Sequence, residues 1–248
     1  MNLLRAARVA ISFLTILPIS APAGVESRDL TRSAAFFPLV GWFLGGLLLL
    51  AAKILISLFG SGLTTALGLV AILAWLTRGL HLDGLADLVD GLGGSHEPAR
   101  RLAIMKDSSI GAFGVIGLIL LLAIKASTLA DLLPQLFVDH KLALLVPLVA
   151  SRWGMVLLAW RGRYPREQGT GHAFVGQTGL GEVIVSSLFV LPLCLLGPAA
   201  VLALLASLLP AFLLYFKATR ALGGITGDVL GASCELGEAL GWLALLAW

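Results

Sequence analysis

The chain has 248 residues, 58% hydrophobic and 12% charged, with a formal net charge of +3. That charged fraction is about half of what a soluble domain carries, and the mean hydropathy of +0.99 belongs to a chain dissolved in lipid. A large soluble core is excluded, the lipid bilayer rather than nucleic acid is the expected partner, and each polar residue left inside an apolar stretch becomes informative.

Met1 to Ile19 sets Arg5 and Arg8 ahead of an apolar run from Val9 to Leu17. No clear small-residue cleavage site precedes a soluble domain, and more apolar stretches follow, so an amphipathic or short first helix is expected rather than a signal peptide. Apolar stretches then run over roughly 34–59, 63–76, 112–133, 142–160, 183–196 and 199–216, with a shorter one at 240–248. Backbone polar groups cannot stay unpaired in lipid, so these are helices or a closed barrel. The runs are continuous and lack a period of two, which selects helices. Gly60-Ser61-Gly62 and Gly197-Pro198 read as tight turns, and 134–141 as a slightly longer one. The fold class is therefore all-α: one membrane-embedded domain over 1–248, a polytopic bundle of about six to seven transmembrane helices plus short or interfacial ones. The lack of a convincing internal repeat disfavours a typical secondary transporter. Cys194 and Cys234 form no CxxC pair, so neither a zinc site nor a disulfide framework is expected.

Orientation follows from positive charge. The turns at 60–62, 134–141 and 197–198 carry one basic residue, Lys141. The opposite loops, roughly 20–33, 77–111, 161–182 and 217–237, carry eleven, which puts them in the cytoplasm. Arg161, Arg163 and Arg166 are read as part of this topology signal.

The loop at 77–111 opens His81-Leu82-Asp83-Gly84-Leu85-Ala86-Asp87-Leu88-Val89-Asp90-Gly91. On a helix, Asp87 stands about 40° from Asp83 and Asp90 about 20° the other way, so three carboxylates share a narrow face. Three like charges call for a positive partner, and magnesium, a hard cation that shares its positions with phosphates, suits them. The bland alternative is a solvated acidic helix start. His81 is a candidate general base beside them or an interfacial hydrogen-bonding residue.

Met105-Lys106-Asp107-Ser108-Ser109-Ile110-Gly111 leads into an apolar helix. Ser108 or Ser109 is expected to cap it, offering free N–H groups to an anion, with Lys106 adding a charge, Asp107 a further oxygen and Gly111 close approach. Further on, Asp228 and Glu235 are seven apart on one helical face. Arg152 lies in an apolar stretch and needs a carboxylate or a phosphate. Lys125 either snorkels or pairs with Asp131.

Three motifs in this order, H-x-D-G-L-A-D-x-x-D-G (81–91), M-K-D-S-x-x-G (105–111) and G-G-x-T-G-D-x-L-G-A (223–232), resemble the cobalamin synthase family. Phe13-Leu14-Thr15-x-Leu17-Pro18 and Phe37-Pro38-Leu39-Val40-Gly41 extend the resemblance over nearly the whole chain. It implies a multi-pass enzyme of the bacterial inner membrane with its active-site loops in the cytoplasm. Its implied substrates are adenosylcobinamide-GDP and α-ribazole or α-ribazole 5′-phosphate, joined with release of GMP and with Mg2+ as cofactor. Homo-oligomerisation is left open. Carried onto this chain, Asp83, Asp87, Asp90 and Asp228 would hold metal, with Asp228 or His81 as proton acceptor. Lys106, Asp107, Ser108, Gly111, Arg152 and Thr226 would meet substrate. Leu82 stands where some members carry an acid and is left out of the site.

Two other readings compete. A CDP-alcohol phosphotransferase would carry D-G-x-x-A-R, which D-G-L-A-D-L at 83–88 does not match. A cation transporter would set its carboxylates at mid-bilayer rather than at one edge.

Overall fold

A computed structural model describes residues 3–17, 19, 24–135 and 145–248. Pro18, Lys141, most of the expected 134–141 turn and the start of the 142–160 stretch lie outside the described residues. Among the described residues all regular structure is helical: α1 (Leu3–Leu14), α2 (Ser27–Ser33), α3 (Phe37–Phe59), α4 (Leu63–Leu76), α5 (Leu80–Gly94), α6 (Pro98–Ile104), α7 (Ala112–Leu132), α8 (Val146–Arg161), α9 (Leu180–Leu188), α10 (Pro198–Leu222) and α11 (Gly227–Leu246). The membrane bundle read from the hydropathy is thus the observed fold.

Four of these are long and apolar enough to cross a bilayer: the 27–59 run ending in α3, then α7, α10 and α11. Helices α4 and α5 meet the same standard only together, with a 91° bend between them. At 1.5 Å per residue the fourteen residues of α4 reach about 21 Å, short of a hydrocarbon layer of about 30 Å. The bend is made by two consecutive left-handed residues, Arg78 (φ 55°) and Gly79 (φ 65°). Helix α5 therefore turns sharply away from the direction of α4. Arg78 Nη2 also donates to the carbonyls of Ser12 and Phe13 at 3.1 Å, satisfying acceptors that the end of α1 leaves open. The corner that turns α5 therefore also fixes Phe13.

The centre of the bundle is built on close approach of small residues. Helix α3 presents Gly41 to the Leu148 carbonyl of α8 and Gly45 to Leu145. Helix α11 sets Gly237 against Ser207 of α10 and Ser151 of α8.

Two expectations are corrected here. The apolar segment at 240–248 is not a separate short helix behind a long loop. Helix α10 continues to Leu222, a four-residue link follows, and α11 begins at Gly227. Acidic residues depress the hydropathy of its first half, but they are neutralised internally. Lys125 of α7 donates to Glu235 at 2.7 Å and to Glu238 at 2.6 Å, and Arg152 of α8 donates to Glu238 at 2.8 Å. Two cations meet two anions, every side chain at most 5% exposed. Lys125 thus pairs across the bundle with α11 and not with Asp131, and Arg152 is held in a structural ion pair that also donates to the Leu148 carbonyl at 2.8 Å.

Candidate active site

Helices α5 and α11 cross at glycines. A Cβ at Gly84 would stand 2.9 Å from the Asp228 Cα, and one at Gly231 would stand 3.1 Å from the His81 Cα. This contact brings the 81–91 and 223–232 motifs together. Asp83, Asp228 and His81 line one cavity of about 160 Å3, whose other wall includes Phe13, Phe37 and Phe174.

Asp228 lies one residue into α11. Thr226 is the N-cap of that helix: its Oγ1 accepts from the Val229 N–H and donates to Asp228 Oδ2 at 3.1 Å. Thr226 is fully buried, so it positions Asp228. Arg166 Nη2 lies 3.5 Å from the same oxygen. Arg166, expected as part of the topology signal, is a cation of this site, and its buried Nε has no hydrogen-bond partner.

Along α5 the three aspartates sit in different surroundings: Asp83 is exposed, Asp87 half-buried and Asp90 buried. Burial, then the neighbouring charges of Asp83 and Asp228, push the Asp87 carboxyl up to about 7. Asp90 has separate duties. Its two oxygens accept from the backbone N–H of Gly111 at 2.7 Å and of Gly114 at 2.8 Å. It thereby caps α7 from a neighbouring helix, and a side chain at either glycine would collide with it. This corrects one expectation: neither Ser108 nor Ser109 caps that helix, whose N-cap is Gly111. The N–H groups expected to meet an anion already hold a carboxylate.

Lys106, Asp107 and Ser108 are exposed in the link between α6 and α7. Asp107 accepts from the Ser109 N–H at 2.9 Å, which holds its carboxyl below the ordinary range. Lys106 makes no hydrogen bond or ion pair with the described residues. Met105 packs under Gly91 and is core. His81 is 1% exposed, with both ring nitrogens unpartnered. Burial first, and then the Arg152 charge, push its pKa down to about 3, so its ring is neutral. Arg152, in its pair with Glu238, does not join the carboxylates.

The donor chemistry suits a hard divalent ion: oxygen ligands only, one of them with its proton affinity raised by burial and then by its neighbours. Among the described residues, no three His, Cys, Asp or Glu side chains are gathered closely enough to enclose one. Asp83 and Asp87 are the side chains that could contribute to an ion that fills its remaining positions with water and phosphate oxygens.

Comparison with known proteins sets this geometry in context. The family model described as cobalamin-5-phosphate synthase matches residues 6–246. A protein of Syntrophobacter fumaroxidans named adenosylcobinamide-GDP ribazoletransferase is 43% identical, over 93% of this chain and 94% of its own. Proteins of the same name from Klebsiella pneumoniae strain 342 (41% identical, 96% and 97%) and Geotalea daltonii (40%, 99% and 98%) match equally fully. No solved structure matches the chain.

Proposed function

This chain belongs to the cobalamin-5-phosphate synthase family, and we infer from that membership that it is an adenosylcobinamide-GDP ribazoletransferase. It joins adenosylcobinamide-GDP to α-ribazole, or to α-ribazole 5′-phosphate, giving adenosylcobalamin or its 5′-phosphate. The observation that carries the chemistry is the α5–α11 crossing, which sets carboxylates from two distant motifs around one cavity.

In the transfer to α-ribazole, its 5′-hydroxyl oxygen bonds to the cobinamide-side phosphorus. The bond from that phosphorus to the bridging oxygen breaks, and the electron pair leaves with GMP. The hydroxyl proton passes to a carboxylate. Asp228 is assigned that proton: Thr226 and Arg166 engage its Oδ2, and its Oδ1 remains for the incoming hydroxyl. Asp83 and Asp87 are assigned to magnesium, which would supply positive charge to neutralise the diphosphate. Asp90 is withdrawn from the ligand set. Arg166 and Lys106 are the cations available to phosphate, and positioning with charge neutralisation supplies most of the rate in such transfers. His81, neutral and enclosed, forms part of the wall rather than the base. The rim that carries α5 and the 223–226 link is assigned to the cytoplasmic side of an inner membrane, on its excess of basic residues.

The test is GMP release from adenosylcobinamide-GDP and α-ribazole by the purified protein in detergent, with and without chelator. Asp83→Asn and Asp87→Asn are each expected to lower kcat by about 100-fold or more. Undiminished release in both variants and in chelator would remove the metal assignment.

A further inference from the structure

The cavity at the α5–α11 crossing is too small for most of what the reaction handles. Pockets that enclose whole ligands run to about 300–1,000 Å3, whereas this one measures about 160 Å3. A cavity of roughly 150 Å3 takes a single aromatic ring such as benzene. No whole corrinoid or nucleotide enters it, so most of each substrate must lie against the open rim.

Its lining combines two chemistries. Asp83 and Asp228 supply carboxylates. Three rings form an aromatic cluster, with Phe13 to Phe174 at 5.0 Å between centroids, Phe37 to Phe174 at 5.4 Å, and Phe13 to Phe37 at 6.3 Å with planes 9° apart. His81 also lines the cavity, 1% exposed, with neither ring nitrogen hydrogen-bonded. A buried imidazole left without partners is costly; its nitrogens are shut off from the cavity as the ring stands, and a ligand that drew the ring round would give them a donor and an acceptor partner.

We propose that this cavity receives the benzenoid ring of the base of ribazole, which packs against the cluster of Phe13, Phe37 and Phe174, with His81 as the hydrogen-bonding partner of the base. The ribose then projects toward Asp83 and Asp228, where the 5′-hydroxyl meets the phosphorus. The inference rests on the transferase reading for its ligand and deepens it by naming which part of which substrate sits inside. Ribazole is a benzimidazole riboside, and its base is a flat, largely apolar ring system with one ring nitrogen free. Stacking on aromatic side chains suits such a ring, and the free nitrogen gives His81 a partner.

The experiment uses full-length protein in detergent and two readouts. Calorimetry measures α-ribazole binding in the absence of the corrinoid, and steady-state GMP release gives KM for each substrate separately. Phe174→Leu, which keeps the site apolar, is expected to weaken α-ribazole binding and raise its KM by roughly tenfold, about what the loss of a stacked ring and its area supplies. KM for adenosylcobinamide-GDP should stay unchanged, which also reports an intact fold. His81→Leu should act in the same direction on the same substrate. The proposal is overturned if Phe174→Leu raises the corrinoid KM equally or instead, or if the wild-type protein does not bind α-ribazole. Binding of α-ribazole that is lost in Phe174→Leu, in a wild-type protein that releases no GMP, would support the subsite while sinking the transferase reading.

Discussion

Gly84 of α5 meets Asp228 of α11 backbone to backbone: a methyl group added at position 84 would stand 2.9 Å from the Asp228 Cα and 3.0 Å from its carbonyl oxygen. The helices can separate to admit it, but Asp228 then moves away from Asp83. A displacement of about 1 Å among reacting groups costs on the order of 100-fold in rate. Gly84→Ala is therefore expected to lower kcat by about that factor while circular dichroism shows unchanged helix content. Wild-type kcat in Gly84→Ala would mean that the crossing does not set the catalytic distance.

Asp90 and Asp83 lie on the same helix but are expected to fail differently. Asp90 caps α7, so Asp90→Ala leaves the Gly111 and Gly114 N–H groups without their acceptor. The loss of a cap costs about 1 kcal/mol, with more from burial of the freed groups. The variant should melt several degrees lower while its residual activity keeps the wild-type dependence on magnesium concentration. Asp83→Asn should do the reverse, with near-normal melting and a magnesium requirement moved to higher concentration. A magnesium shift in Asp90→Ala as large as in Asp83→Asn would return Asp90 to the ligand set.

The Asp87 carboxyl, raised to about 7 by burial and by Asp83 and Asp228, gives a pH signature. The unfolded chain holds an ordinary aspartate near 3.9, so between those values the folded protein binds the extra proton. Stability from this group is complete below the unfolded value and is lost as pH rises through about 7. In chelator, the melting temperature should fall between pH 5 and pH 8, and Asp87→Asn should flatten that fall. Magnesium competes with the proton, so added ion should restore stability on the alkaline side. A melting temperature that is level with pH in chelator would count against the raised carboxyl.

Much of this fold is legible because a lipid solvent makes helices announce themselves as long apolar runs. The exceptions share one cause: a polar residue whose partner is remote in sequence. Glu235 and Glu238 hid the first half of α11 because Lys125 and Arg152, which neutralise them, lie 110 and 86 positions away. The spacing of Asp83, Asp87 and Asp90 correctly puts them on one helix. It cannot show that Asp90 answers the start of α7, 21 and 24 residues further on. Arg166 looked like any loop cation, since what it faces depends on how the 162–179 segment folds back over α11. Phe13, Phe37 and Phe174 come from three separate segments, and only the fold makes them a single wall.

The buried charge network yields the sharpest stability test. Lys125 bridges Glu235 and Glu238, while Arg152 holds Glu238 alone. Lys125→Met strands Glu235 among apolar side chains, and breaking a buried pair from one side costs about 3–5 kcal/mol. Removing Glu235 as well restores the balance, because Arg152 and Glu238 still neutralise each other. The double variant Lys125→Met/Glu235→Leu should therefore be more stable than Lys125→Met alone by a clear margin, since well-packed apolar replacements of a buried pair are often neutral. Thermal unfolding of the two variants in the same detergent reads the difference directly. If the double variant is no more stable than the single one, Lys125 is not there to balance Glu235, and the neutralisation that lets α11 run through the bundle must come from elsewhere.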